Sequence, residues 1–293
     1  MTGFLQLLFQ GLALGCIYAL VAVGFTVIYR ASQVINFAQG SLLLVGAYLI
    51  SVFAPHMPFG LAVIAAIVLL SLAGVAFQFI VLQRVLGQPV FVLVMITIGL
   101  SIAIDSAIPA IFGSNARILG DPWGASAVHA GGVTFNWVRI WTIVCTGLIL
   151  ALYFLFERFS RYGLAMRATA ADQEAALAVG VPVRRVYAVT WAIAGAVAAV
   201  GGLFLGGFPS SVNPSLGDVA LRAFPAIILG GLDSVPGAVV GGIVIGIVEV
   251  LTSGYSPGWL GNNFSDVAPY LLMMVVLFVR PYGLFGTRPV ERV

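Results

Sequence analysis

The polar and ionisable side chains that interrupt this sequence's apolar runs are few, and their spacing limits what they can do. In ASQVINFAQGS (31–41), Asn36, Gln39 and Ser41 stand beside flexible Gly40 and break an apolar stretch. Irregular backbone at membrane depth is tolerated only when it is buried in protein or lines a cavity, so these three residues are candidates for a polar path. Thr97 and Ser101 lie four apart and share one helix face. They either line the same path or bond back to helix carbonyls. Asp105 and Glu249 each stand alone in an apolar run, MITIGLSIAIDSAIP and GIVIGIVEVL. A charge in a span costs about 3 kcal/mol or more unless it is paired or wet, so each acid either serves a pathway or bonds a neighbouring helix. In LGGLDSVPGAVVGG (229–242), Asp233 and Ser234 can cap a helix with Pro236 in its first turn. Either a plain turn or a discontinuous helix fits; the latter's free N–H groups suit an anionic substrate group.

Other chemistry is missing. His56 and His129 fall in separate loops, and no Ser/His/Asp grouping or metal-spaced cluster occurs. No catalytic residue and no metal site is expected. Cys16 and Cys145 sit in apolar runs and read as small packing residues.

The elements that hold these residues follow from composition. Of 293 residues, 61% are hydrophobic and only 8% charged, against roughly 25% charged in a soluble domain. That excludes a soluble enzyme, a disordered chain and a nucleic-acid binder. Apolar runs cover 4–29, 34–53, 59–82, 90–112, 138–156, 186–208, 238–251 and 267–279, with a shorter one at 220–231. A spanning helix needs about 20 residues. The expected fold is an all-α polytopic transmembrane helical bundle of eight or nine spans, the count turning on whether 220–231 spans or re-enters. The run at residues 4–29 lacks a positive flank before it and reads as a first span, not a cleaved signal. Gly and Ala recur in every span, as in AIAGAVAAVGGLFLGG (192–207), and allow close helix packing in lipid. The whole of 1–293 reads as one membrane domain with no room for a soluble one.

All 13 basic residues are arginines. With the N-terminus outside, Arg30, Arg84, Arg158, Arg161, Arg167, Arg184, Arg185, Arg280, Arg288 and Arg292 can all be cytoplasmic, leaving Arg117, Arg139 and Arg222 outside or near an interface. The charged segment RYGLAMRATAADQEAALAVGVPVRR (161–185) then lies in the cytoplasm. Its Ala-rich core, Met166 to Val179, predicts one short helix, stopped by Gly180 and Pro182. It is either an ordinary surface helix or a docking element for a soluble partner.

The stretches YALVAVGFTVIY (18–29), VINFAQG (34–40), ITIGLSI (96–102), NPSLG (213–217), AIILGGLDSVPGAVVGG (226–242) and RPYGLFG (280–286), together with the charged segment, resemble the inner-membrane permeases of branched-chain amino acid ABC transporters, in the shorter of their two permease types. Ser41 stands where many such proteins carry Glu, and Asp233 where Gly is common. The resemblance implies an alternating-access importer in the bacterial inner membrane, for branched-chain amino acids or a related small amino acid, amide or carboxylate. It implies a second permease subunit, two cytoplasmic ATPase subunits that bind the ATP, and a periplasmic substrate-binding protein. The residues themselves, apart from the resemblance, make Asn36, Gln39, Ser41, Thr97, Ser101 and Glu249 the candidate substrate pathway. The resemblance also implies that about 157–185 is a coupling loop, in which Glu174-Ala175-Ala176 and Gly180 fit the EAA-x-x-x-G pattern, with Arg167 and Asp172 beside them. The chain itself has no G-x-x-x-x-G-K-[ST] nucleotide loop and no cofactor. The competing expectations are an ion-coupled transporter using Asp105 and Glu249, and a channel.

Overall fold

The computed structural model describes residues 2–85, 88–130, 133–207, 210–256 and 264–286. Phe208, Arg288 and Arg292, used above to place a span and the cytoplasmic face, lie outside the described residues. The elements run α1 (Thr2–Ser32), α2 (Gln39–Phe53), α3 (Phe59–Ile80), α4 (Val90–Phe112), β1 (Ala127–Ala130), β2 (Val133–Asn136), α5 (Trp137–Phe159), α6 (Arg161–Ala171), α7 (Gln173–Ala178), α8 (Val183–Gly206), α9 (Val219–Gly230), α10 (Val235–Tyr255) and α11 (Phe264–Val279). Six of these helices, α1, α3, α4, α5, α8 and α10, are long and apolar enough to cross a membrane; α2 and α11 are shorter apolar helices. The fold is the expected polytopic helical bundle. The six long helices alone do not reach eight or nine crossings, because α2 and α11 have only 15 and 16 residues and α9 only 12, the last being about 18 Å of helix against a hydrocarbon core of about 30 Å.

Residues 15–28 of α1 are buried without interruption. A helix apolar on all sides belongs in the centre of a bundle. By contrast α3 exposes Leu61, Ile64, Val68 and Leu72, a stripe at helical spacing that suits lipid. Glycines set how closely helices approach α1. A Cβ at Gly11 would lie 2.8 Å from the Ile247 Cα, and one at Gly15 would lie 2.7 Å from the Ile243 Cα. The falling partner numbers make α1 and α10 antiparallel. Likewise a Cβ at Gly195 would come within 2.8 Å of the Leu70 carbonyl carbon, and one at Gly74 within 2.9 Å of that of Trp191, fastening α8 to α3. In lipid, where nothing apolar drives helices together, such small-residue contacts supply the packing.

Two departures from regular helix matter for the site. The run expected to begin at residue 34 becomes helical only at Gln39. Asn36 Oδ1 accepts the Ala38 N–H at 3.1 Å and the Asn36 carbonyl accepts the Gln39 N–H at 3.2 Å, a local turn that competes with helix. The second break precedes α9, where Asn213 caps the short turn Pro214–Asp218. At the far end of α9, Gly231 takes φ +105. Ser234 Oγ then accepts the Gly237 N–H at 3.1 Å, with Pro236 in the first turn of α10. The capping read from the sequence is therefore present.

The charged segment differs from expectation. The single helix predicted over 166–179 is two, α6 and α7, divided at Asp172. That residue is extended (φ −160, ψ 111), and its Oδ1 accepts the Ala175 N–H at 3.0 Å. An aspartate that caps a new helix outcompetes continuation of the old one. Gly180, at φ +84, ends α7, and the Val181 N–H reaches the Ala176 carbonyl at 2.9 Å, as a glycine stop requires. The hairpin β1–β2, paired antiparallel with Ala127 opposite Asn136, has no counterpart in the all-α reading. Phe135 on it meets Phe9 of α1 edge-on, ring centroids 4.8 Å apart.

Candidate functional site

The two breaks meet. The start of α2 lies against the turn before α9: a Cβ at Gly217 would sit 3.7 Å from the Gly40 carbonyl oxygen and 3.6 Å from Asp105 Oδ1. Between them and α4 lies a cavity of about 190 Å³. A polar line crosses it. The Ser41 and Ser101 hydroxyl oxygens are 2.8 Å apart, and Ser101 donates to Asp105 Oδ2 at 3.2 Å. Phe25, Phe37 and Phe224 supply an apolar part of its wall. Phe37 stacks on Phe224 at 6.0 Å, and Phe25 meets Phe224 edge-on at 5.9 Å. Among the described residues, Asp105 and Asp218 are the charged side chains of the lining, and both are negative.

Asn36 and Gln39 are not at the cavity surface: both are 0% exposed. Asn36 Nδ2 donates to Gln39 Oε1 at 3.3 Å, and Gln39 Nε2 donates to the Ala194 carbonyl on α8 at 3.2 Å. These amides hold the break together. Gly24 makes room, since a Cβ there would overlap the Gln39 side chain. Thr97 bonds back to the Val94 carbonyl at 2.9 Å and also accepts the Phe37 N–H at 3.3 Å. It thus ties the broken segment 34–38 to α4.

On the other side of that segment is a second cavity, of about 250 Å³, which Thr97 also lines. Ser101, one turn further along α4, lines the first cavity. The two spaces therefore follow one another along α4, with Phe37 and its Thr97 bond between them.

Glu249 belongs to a different network. It is 8% exposed and accepts from the Tyr18 hydroxyl at 2.6 Å. Arg222 lies 3.8 Å from it and 3.2 Å from Asp266. The group joins α1, α9, α10 and α11, and none of its four side chains is among those that line the Ser41–Ser101 cavity.

The charged segment is anchored at the ends of α1 and α5. Arg30 Nη1 contacts Glu157 Oε1 at 2.7 Å, and the Arg167 guanidinium donates to the Glu157 carbonyl. Ser160 caps α6 by accepting the Gly163 N–H at 2.8 Å. Of the segment's named residues, Ala176 is buried and Glu174 and Ala175 are exposed. Sequence reasoning missed Arg30, Glu157, Tyr18, Arg222 and Asp266 as partners; each pair is far apart in sequence, and only their positions at span ends hinted at a role.

A bundle of long apolar helices, interrupted by two breaks that meet at a polar cavity, defines a polytopic membrane permease. The chain belongs to the family described as branched-chain amino acid transport system / permease component, whose profile matches residues 7–277. It is 34% identical to the high-affinity branched-chain amino acid transport system permease protein LivH of Escherichia coli (strain K12), over 99% of this chain and 98% of the other. It is 31% identical to the permease protein BraD of Pseudomonas aeruginosa, again over 99% and 98%. A probable LivH of Methanocaldococcus jannaschii is 29% identical over 91% and 88%. No solved structure gives a significant match.

Proposed function

We propose that this chain is one membrane permease subunit of an ABC importer for branched-chain amino acids, sitting in the bacterial inner membrane and working by alternating access. The observation that carries this is its near end-to-end match, at 34% identity, to a branched-chain amino acid permease. Its partners are a second permease, two cytoplasmic ATPase subunits that bind the ATP, and a periplasmic binding protein. The whole of 1–293 acts as one membrane unit, with about 157–185 as its coupling loop.

Arginine placement supports an outside N-terminus. In that orientation α9 crosses the inner half of the bilayer. The stretch before it descends through the outer half, so that the two together complete a broken ninth crossing. The negatively charged cavity then lies in the outer half and receives substrate. The ammonium group meets Asp105, positioned through Ser101 and Ser41, and the aliphatic side chain meets the Phe25, Phe37 and Phe224 wall. Asp105 is exposed on α4. A carboxylate facing lipid at this depth costs several kcal/mol, which supports a second permease or a wet path covering that face. Thr97, Asn36 and Gln39 hold the partition that substrate passes. Glu249 contributes through its contact with Arg222 near the start of α9.

In the coupling loop, Arg167, Asp172, Glu174, Ala175, Ala176 and Gly180 shape the surface that α6 and α7 present to an ATPase. Co-purification of the chain with its neighbouring ATPase and permease subunits tests this. Hydrolysis by the complex should rise when the binding protein is added with leucine, isoleucine or valine. A chain that purifies intact without ATPase subunits, and whose hydrolysis ignores all three amino acids, would sink the reading.

A further inference from the structure

We propose that the second cavity is a distinct amino-acid subsite on the cytoplasmic side, in which the side-chain amide of Gln78 takes the substrate's carboxylate; this rests on the permease reading above. Gln78 lies near the end of the apolar helix α3, is 1% exposed and lines this cavity. Among the described residues its Nε2 finds no hydrogen-bond partner. Among the described residues, Asn36 and Gln39 are the other buried side-chain amides, and both are paired. A buried donor left unpaired is costly, so it is normally satisfied by some group. A carboxylate is the acceptor that rewards an amide donor most.

The rest of the lining fits one end of a small aliphatic amino acid each. Ser32, Thr97 and Tyr187 supply hydroxyls, and Ile28, Leu93 and Trp191 supply apolar surface. Among the described residues no charged side chain lines the space. That contrast with the first cavity has a direction. A substrate leaving Asp105 enters a site whose described lining carries no charge, with uncharged donors and acceptors for its two charged groups, weak enough to release it. The passage between the sites is short, because Thr97 and Ser101 are one turn apart and Phe37 stands between them.

Gln173, the first residue of α7, forms part of the same wall. Displacement of the coupling segment therefore changes the shape of this cavity directly, without relay through the bundle. The exit site and the element proposed to meet the ATPase share a surface.

The test uses the complete transporter in nanodiscs, with Cys16 and Cys145 of this chain replaced by alanine and Ser32→Cys placed in the cavity wall. Maleimide labelling of this chain at position 32 is followed with L-leucine, and with L-leucinamide, which keeps the ammonium and side chain but lacks the carboxylate. Leucine should slow labelling, and leucinamide should require about tenfold more to do the same, the worth of one charge-assisted hydrogen bond. Gln78→Met, close in volume but without the amide, should abolish the difference between the two ligands. Where Gln78→Met fails to assemble, the leucine–leucinamide comparison in the chain that keeps Gln78 decides alone. Equal protection by both ligands, or none by either in a complex that takes up leucine with ATP, means that water fills the cavity and overturns the subsite. A complex that takes up no branched-chain amino acid with ATP instead refutes the permease reading.

Discussion

The guanidinium of Arg30, in the last turn of the central helix α1, lies 2.7 Å from the carboxylate of Glu157, in the last turn of α5. The same residue's backbone carbonyl receives the Arg167 guanidinium of α6. Glu157 is therefore the joint between the charged segment and the helix around which the bundle packs. Its side chain and that of Arg30 are 13% and 24% exposed, so the pair is partly shielded and worth about 1 kcal/mol by comparison with exposed pairs. Stability should fall little in Arg30→Ala or Glu157→Ala. Transport per ATP hydrolysed should fall severalfold in either, and the exchanged pair Arg30→Glu with Glu157→Arg should recover part of it. Equal coupling ratios in all four proteins would show that the joint transmits nothing.

Asp105 carries a separate expectation. Asp105→Asn keeps the Ser101 contact but removes the charge offered to an ammonium group. Leucine uptake at low substrate should drop tenfold or more, while ATPase assembly is unchanged. Ser41→Ala, which removes only the far end of the hydroxyl line, should cost less than Asp105→Asn. Uptake measured over a range of leucine concentrations distinguishes the two; an unaffected Asp105→Asn would remove the carboxylate from the site.

The α1–α10 contact tolerates no side chain at its centre. A Cβ at Gly246 would overlap the backbone of Gly15. Gly246→Val should separate the helices and cost about 1–3 kcal/mol or more, seen as loss of folded chain in size-exclusion fluorescence. Gly99→Ala is a fitting control, because no atom of the described residues lies within 4 Å of a Cβ there.

The segment proposed to meet the ATPase gives a sharper test because its two helices are short. Ala176 is buried, and the Ala176 N–H bonds the Asp172 carbonyl at 3.0 Å. Ala176→Pro deletes that bond and clashes within α7. The ATPase should either fail to co-purify or hydrolyse ATP without moving substrate, while the spans remain inserted. Glu174→Arg, on the exposed side, should act more mildly. Retention of wild-type co-purification and coupling by Ala176→Pro would show that this segment is not the contact.

The six long apolar helices, the Ser234 cap and the Gly180 stop were legible in the sequence because each rests on local chemistry. Asp172 was legible as a charge but not as a boundary, since an aspartate reads equally well on a polar helix face. Asn36 and Gln39 announced a break, yet whether a polar side chain lines a cavity or closes on its neighbour depends on α8, which supplies the Ala194 carbonyl. Glu249 announced a need for partners; that Tyr18, 231 positions away, meets it is a product of the glycine-mediated α1–α10 approach. The hairpin escaped because four-residue strands in a Gly-rich loop carry little periodicity.

The central claim is that ATP, and not an ion gradient, drives an amino acid through this chain. The decisive measurement is radiolabelled leucine uptake into proteoliposomes holding the full complex, with binding protein on the side that receives substrate and ATP on the other. The account predicts concentrative uptake that requires ATP and the binding protein and persists when proton and sodium gradients are collapsed. Uptake that proceeds without ATP, follows an imposed proton or sodium gradient, and is lost in Asp105→Asn or Glu249→Gln would contradict it.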